Sequence, residues 1–137
     1  MSLHECKCKL CHKPLTIEID DAYAELGDPF KMLPTATCNR CFDLRERRIR
    51  IEGQVARASR MLIMQPKMDA AVRNKIRDGL RVATQAYARY VADLNFSGQI
   101  AWNEEFVDII MEQPQKSLTA LSIYRNNRTR EIQQSRK

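Results

Sequence analysis

Five cysteines are the residues of this chain best equipped for chemistry. All five fall within the first 41 of its 137 positions: Cys6, Cys8, Cys11, Cys38 and Cys41. Clustered cysteines serve either a disulfide framework or a metal site. Three features favour metal: the odd count, the lack of a legible export signal in Met1-Ser2-Leu3-His4-Glu5, and the pairing of Cys8-x-x-Cys11 with Cys38-x-x-Cys41. Two residues between cysteines let the backbone form a knuckle that turns both thiolates toward one ion. Two knuckles supply the four sulfurs of a tetrahedral site, so Cys8, Cys11, Cys38 and Cys41 are expected to hold one structural Zn2+. Redox dithiols or a labile disulfide are the alternative. Cys6, His4 and His12 stand beside the first knuckle as substitute ligands, and solvent-facing roles suit the two histidines because four cysteines already complete a site.

The elements that must position these sulfurs are short. Pro14-Leu15-Thr16-Ile17-Glu18-Ile19 alternates apolar and polar and reads as a strand. Asp20 to Leu26 reads as a helical turn or two closed by Gly27, and Asp28-Pro29 and Leu33-Pro34 are loop signals. The second knuckle runs straight into Phe42-Asp43-Leu44-Arg45-Glu46-Arg47-Arg48, a helical stretch with no Gly or Pro before Gly53. Gly53-Gln54 either interrupts that helix or is tolerated in it, and Pro66 ends its continuation.

The order knuckle, short β segment, knuckle at a helix start resembles a treble-clef zinc finger over about residues 6–50. The run Pro34-Thr35-Ala36-Thr37-Cys38 is similar to the stretch before the second knuckle in zinc fingers of the DksA/TraR family of transcription factors. It departs from that pattern in its long intervening loop, in one missing residue before Cys38 and in lacking a preceding coiled coil.

Three helices are expected after Pro66. Over about residues 68–95, Val72, Ile76, Leu80, Ala83, Tyr87, Tyr90, Val91 and Leu94 recur at spacings of three and four. A second helix spans about 100–112, with Trp102 and Phe106 as core anchors, and a third about 116–134. The expected fold is therefore mainly α with a small zinc-stapled α+β module. It divides into a four-cysteine zinc module at 1–50 and a helical region of three to four helices at 51–137, whose long amphipathic helix is also a candidate homodimer seam.

Charge is uneven in this chain of net charge +6: residues 1–37 sum to −2 and residues 38–65 to +4. Arg45 and Arg48 follow the second knuckle, and Arg73, Arg77 and Arg81 form a ridge every four residues. Guanidinium groups pair bidentately with phosphate, so these five are the candidate nucleic-acid contacts; a solvated face or structural ion pairs is the competing reading. The acidic run Glu18, Asp20, Asp21, Glu25 and Asp28 instead suits a basic protein face.

Enzymatic function is not expected. No His lies away from the knuckle, no phosphate-loop or nucleophile-elbow motif is present, and four thiolates would close a zinc to substrate. No apolar run approaches the ~20 residues of a membrane span. The expected protein is cytoplasmic and not secreted. It is either a small zinc-dependent nucleic-acid-binding regulator or an adaptor or inhibitor docking on a larger nucleic-acid-processing machine.

Overall fold

Alternation of Leu15, Ile17 and Ile19 with Thr16 and Glu18 favours an extended backbone. In a computed structural model of the chain, which describes residues 2–19 and 37–136, this segment is β2 (Pro14–Ile19). It pairs antiparallel with β1 (Ser2–Lys7), in a register that sets Ser2 opposite Ile19 and Cys6 opposite Leu15. The sequence reading missed β1 because Ser2-Leu3-His4-Glu5-Cys6-Lys7 has a single strongly apolar residue. The turn expected from Asp20, the loop signals at Asp28-Pro29 and Leu33-Pro34, and the acidic run beyond Glu18 lie outside the described residues. The chain divides into two compact units, Met1–Glu46 and Arg47–Lys137. The first contains the hairpin, both knuckles and the start of a helix; the second is helical. The fold is mainly α with a small two-stranded sheet, the class the sequence implies.

Helix α1 (Asn39–Met64) runs unbroken through Gly53 and Gln54. Its buried positions Leu44, Ile51, Val55 and Leu62 recur at sevens and fours, the stripe that continuous helical winding aligns. Pro66, two residues beyond its end, blocks further extension.

Helix α2 (Ala70–Leu94) buries Ile76, Leu80, Ala83, Tyr87, Tyr90 and Val91. Val72, expected on that face, is 38% exposed in the first turn of the helix. At its end the Ser97 N–H reaches the Ala92 carbonyl at 2.8 Å and the Phe96 N–H the Asp93 carbonyl at 3.2 Å. The helix stops with Phe96 in the left-handed region at φ 52°, two residues before Gly98.

Helix α3 (Glu104–Glu112) begins four residues later than expected. Asn103 is extended (φ −143°), and its side chain accepts the Phe106 N–H at 3.2 Å, which places the cap there. Trp102 is consequently outside the helix and only half-buried. Its indole N–H donates to Thr84 Oγ1 at 2.7 Å, while the Thr84 hydroxyl lies 2.7 Å from the Leu80 carbonyl. A 3-10 turn (Pro114–Lys116) leads into α4 (Ser117–Ser135). Among the described residues no helix is long and apolar enough to cross a membrane.

The core of the helical unit joins α2, α3 and α4 through Leu80, Tyr87, Val91, Val107, Ile110 and Leu121, each 1% exposed or less. Phe106 stacks on Tyr124 with ring centroids 5.0 Å apart, and the Tyr124 hydroxyl donates to the Ala101 carbonyl. Arg47 of α1 pairs with Asp93 of α2 at 2.8 Å.

Tyr87 is fully enclosed, and its hydroxyl has no hydrogen-bond partner among the described residues. An unpaired buried hydroxyl costs roughly 1–3 kcal/mol. Tyr87→Phe is therefore expected to leave the thermal midpoint unchanged or raise it. Burial also pushes the Tyr87 phenol up to about 12. The folded state thus keeps this proton where the unfolded chain, with a phenol pKa near ~10, releases it. The Tyr87 contribution to stability should be level below pH ~10 and fall as pH rises toward 12, and Tyr87→Phe should remove that component of the alkaline fall in denaturant titrations.

Candidate functional site

The first knuckle occupies the turn between β1 and β2. The Cys8 N–H donates to the Lys13 carbonyl at 2.8 Å and the His12 N–H to the Cys8 carbonyl at 2.9 Å, which folds the chain back within five residues. The turn places His12 in the left-handed region at φ 63°. The second knuckle is built on a helix start: the Phe42 N–H donates to the Cys38 carbonyl at 2.9 Å, and Cys41 stands in the first turn of α1.

The sulfurs of Cys8, Cys11, Cys38 and Cys41 lie within 4.8 Å of one another, with Cys11 and Cys38 Sγ 3.6 Å apart. A tetrahedron of Zn–S bonds of ~2.3 Å has edges of about 3.8 Å, so the donor set fits a thiolate-bound metal ion. A disulfide would need ~2.05 Å between sulfurs. Cys8 and Cys41 are buried, and Cys11 and Cys38 half-buried.

Backbone N–H groups prepare the sulfurs for negative charge. The Cys38 N–H points at Cys8 Sγ (3.3 Å) and the Cys41 N–H at Cys38 Sγ (3.5 Å). Burial works to raise the Cys8 thiol, but N–H donors from Cys11, Cys38 and Leu10 outweigh it and bring the thiol down to about 5. Cys38 is lowered chiefly by the Cys41 N–H. Cys41 is pushed up to about 12 by burial and then by the three neighbouring sulfurs. A cation among the four sulfurs would remove that crowding of negative charge. The four cysteines are the residues that would hold it, and four sulfurs leave no open position for substrate.

Two of the substitute ligands, Cys6 and His12, fall outside this group. Cys6 is half-buried in β1 opposite Leu15, and His12 is exposed; neither belongs to the sulfur cluster. The side chain of His4 is outside the described set.

The candidate arginines divide. Arg77 donates to Asp108 at 2.5 Å and lies 3.9 Å from Glu104; Arg81 reaches Glu104 at 2.6 Å and Asp78 at 2.6 Å. Hydrogen bonding to Glu104 holds the Arg81 guanidinium above its ordinary value. These two residues of the ridge tie α2 to α3 through ion pairs. Arg73 is exposed and has no side-chain partner among the described residues. Arg48 is half-buried, 4.0 Å from Glu52, and Arg45 is exposed.

Sequence reasoning passed over Arg50, Arg57 and Arg60 of α1, all exposed and without side-chain partners among the described residues. At 100° per residue, Arg50 and Arg57 stand about 20° apart around the helix and Arg60 about 60° further. The seven- and three-residue spacing was the available signal.

Comparison with protein-family models, curated proteins and solved structures gives no match for this chain.

Cys38→Ser is expected to abolish metal binding and unfold the hairpin unit, whereas Cys6→Ser retains one ion per chain; elemental analysis of purified variants reads both. Relieving the left-handed strain at His12 should stabilise the same unit by ~1 kcal/mol. His12→Gly is therefore expected to slow metal loss to a chelator by several-fold.

Proposed function

We propose that the protein is a small zinc-dependent nucleic-acid-binding module in which one structural Zn2+ on Cys8, Cys11, Cys38 and Cys41 supports the start of α1. In this reading α1 carries the phosphate contacts. The observation that carries it is the group of exposed, unpartnered arginines on one side of that helix: Arg50, Arg57 and Arg60. Arg50 and Arg57 are separated by about 10 Å along the axis, a span that can engage successive phosphates of one strand. Their planar guanidinium groups match phosphate oxygens bidentately. The chain's formal charge of +6, lowered to about +4 by four thiolates around one Zn2+, adds long-range attraction.

Zinc rather than a harder cation is favoured by four sulfur donors, and a closed four-sulfur shell favours a structural over a catalytic ion. Arg77 and Arg81 belong to the scaffold in this reading, because contacting phosphate would require them to leave Asp108 and Glu104. Arg45 and Arg73 remain available at the periphery.

Fluorescence anisotropy of zinc-loaded protein with labelled single- and double-stranded DNA and RNA tests the proposal. Binding should be micromolar or tighter at low salt and should weaken by an order of magnitude or more between ~50 and ~200 mM salt. Arg57→Glu with Arg60→Glu should cut affinity at least about tenfold across sequences, while Arg77→Gln should lower thermal stability and leave affinity nearly unchanged. Absence of binding at low salt, or binding indifferent to salt, would overturn the reading.

A further inference from the structure

Away from the α1 arginines, the outer surface of the helical unit contains a cleft of about 640 Å³ between α3 and α4. Its walls include Trp102, Phe106 and Tyr124. Each ring is fixed in place: Trp102 by Thr84, Tyr124 by the Ala101 carbonyl, and Phe106 by stacking on Tyr124. The lips are Ile109 of α3, 45% exposed, and Ile123 of α4, 54% exposed. Ile123 is thus turned outward. Along α4 the lining runs from Ala120 to Glu131, three turns or about 16 Å.

The rim has the opposite charge from the rest of the molecule. Glu105 is exposed and without an ion-pair partner among the described residues. Glu131 is mostly exposed; Arg128, the one cation in the lining, donates to it at 3.2 Å. The lining therefore carries a net charge of −1 in a chain of +6.

From this geometry we infer that the cleft is a docking groove for a cationic amphipathic helix of a partner protein. An apolar trough three turns long between two helices matches the helix-in-groove mode, in which bulky side chains at i, i+3/i+4 and i+7 enter the trough. Rigid aromatic walls limit the ordering cost of binding. Lys or Arg flanking the anchors of the guest helix would meet Glu105 and Glu131 at the rim. The groove uses α3 and α4 and is independent of the nucleic-acid reading of α1.

The chain has a single tryptophan, and it stands in this cleft, so its emission reports occupancy directly. The probes are two Trp-free amphipathic peptides of about 18 residues, one built from Leu and Lys and the other from Leu and Glu. The Leu/Lys peptide should blue-shift Trp102 emission with a midpoint in the range of tens of micromolar, and the Leu/Glu peptide should bind at least about tenfold more weakly. Global attraction to a net-positive protein would give the reverse order, so the preference isolates the rim. Ile123→Asp, at a position exposed enough to keep the fold intact by circular dichroism, should weaken the Leu/Lys peptide at least about tenfold. Three outcomes would overturn the inference: no shift up to about 200 µM peptide, equal binding of both peptides, or full binding by Ile123→Asp. So would an emission shift produced by concentrating the protein alone, since that would seat a second copy in the groove.

Discussion

Among the hairpin unit's residues of described burial the enclosed side chains are few and mostly sulfur, and the convergence of four sulfurs takes the place of a hydrocarbon core there. Its buried members are Cys8, Cys41 and Leu44. A two-stranded hairpin is marginal in water by itself. Four thiols within 4.8 Å of each other are a costly arrangement unless something offsets their crowding. Metal ligation would do so, and because the unfolded chain offers no preformed site, the binding free energy would become folding free energy. The same contacts link the sulfur cluster to the helix. Cys41 stands in the first turn of α1, where N–H groups without helical partners point toward sulfur and the helix dipole favours negative charge.

The helical unit depends on a different balance, ordinary apolar burial combined with a division of labour among arginines. Leu80, Tyr87, Val91, Val107, Ile110 and Leu121 supply the enclosed apolar area. Arg77 and Arg81 sit at the edge of that core and meet Glu104 and Asp108 of α3. Partly exposed pairs of this kind contribute little each, about 0–1 kcal/mol, but Glu104 lies within reach of both cations and so helps fix how α3 lies on α2. Acids of α3 thus take up Arg77 and Arg81 of α2, while Arg73 of α2 and Arg50, Arg57 and Arg60 of α1 stay exposed without ion-pair partners among the described residues. Burial of Leu121 and Ile132 leaves Leu118 and Ile123 of α4 facing outward, and Ile123 forms a lip of the aromatic cleft.

Much of this was legible in the residues. Cys-x-x-Cys spacing marked each half of the sulfur cluster, because two thiols three residues apart are a local pattern, and the four-donor demand of one ion joined the halves, which lie 27 residues apart. The three-and-four recurrence from Ile76 to Val91 marked α2, and β2 followed from strict alternation. Less legible were features set by single local bonds. Asn103 caps α3 and so removes Ile100 to Trp102 from the helix, and Phe96 rather than Gly98 takes the left-handed stop. β1 has little apolar alternation of its own and is recognisable only through its pairing with β2.

By itself the sequence determined the two cysteine pairs, the helix periodicities and the excess of positive charge, because each is a property of residue type and short-range spacing. It left open which arginines are available to a partner. Arg73, Arg77 and Arg81 are equivalent as a four-residue repeat, and so are their propensities. Tertiary structure separated them, because Glu104 and Asp108 lie more than 20 residues away along the chain and meet Arg77 and Arg81 only when α3 packs on α2. Pairing across that distance depends on three-dimensional proximity, which no local pattern encodes.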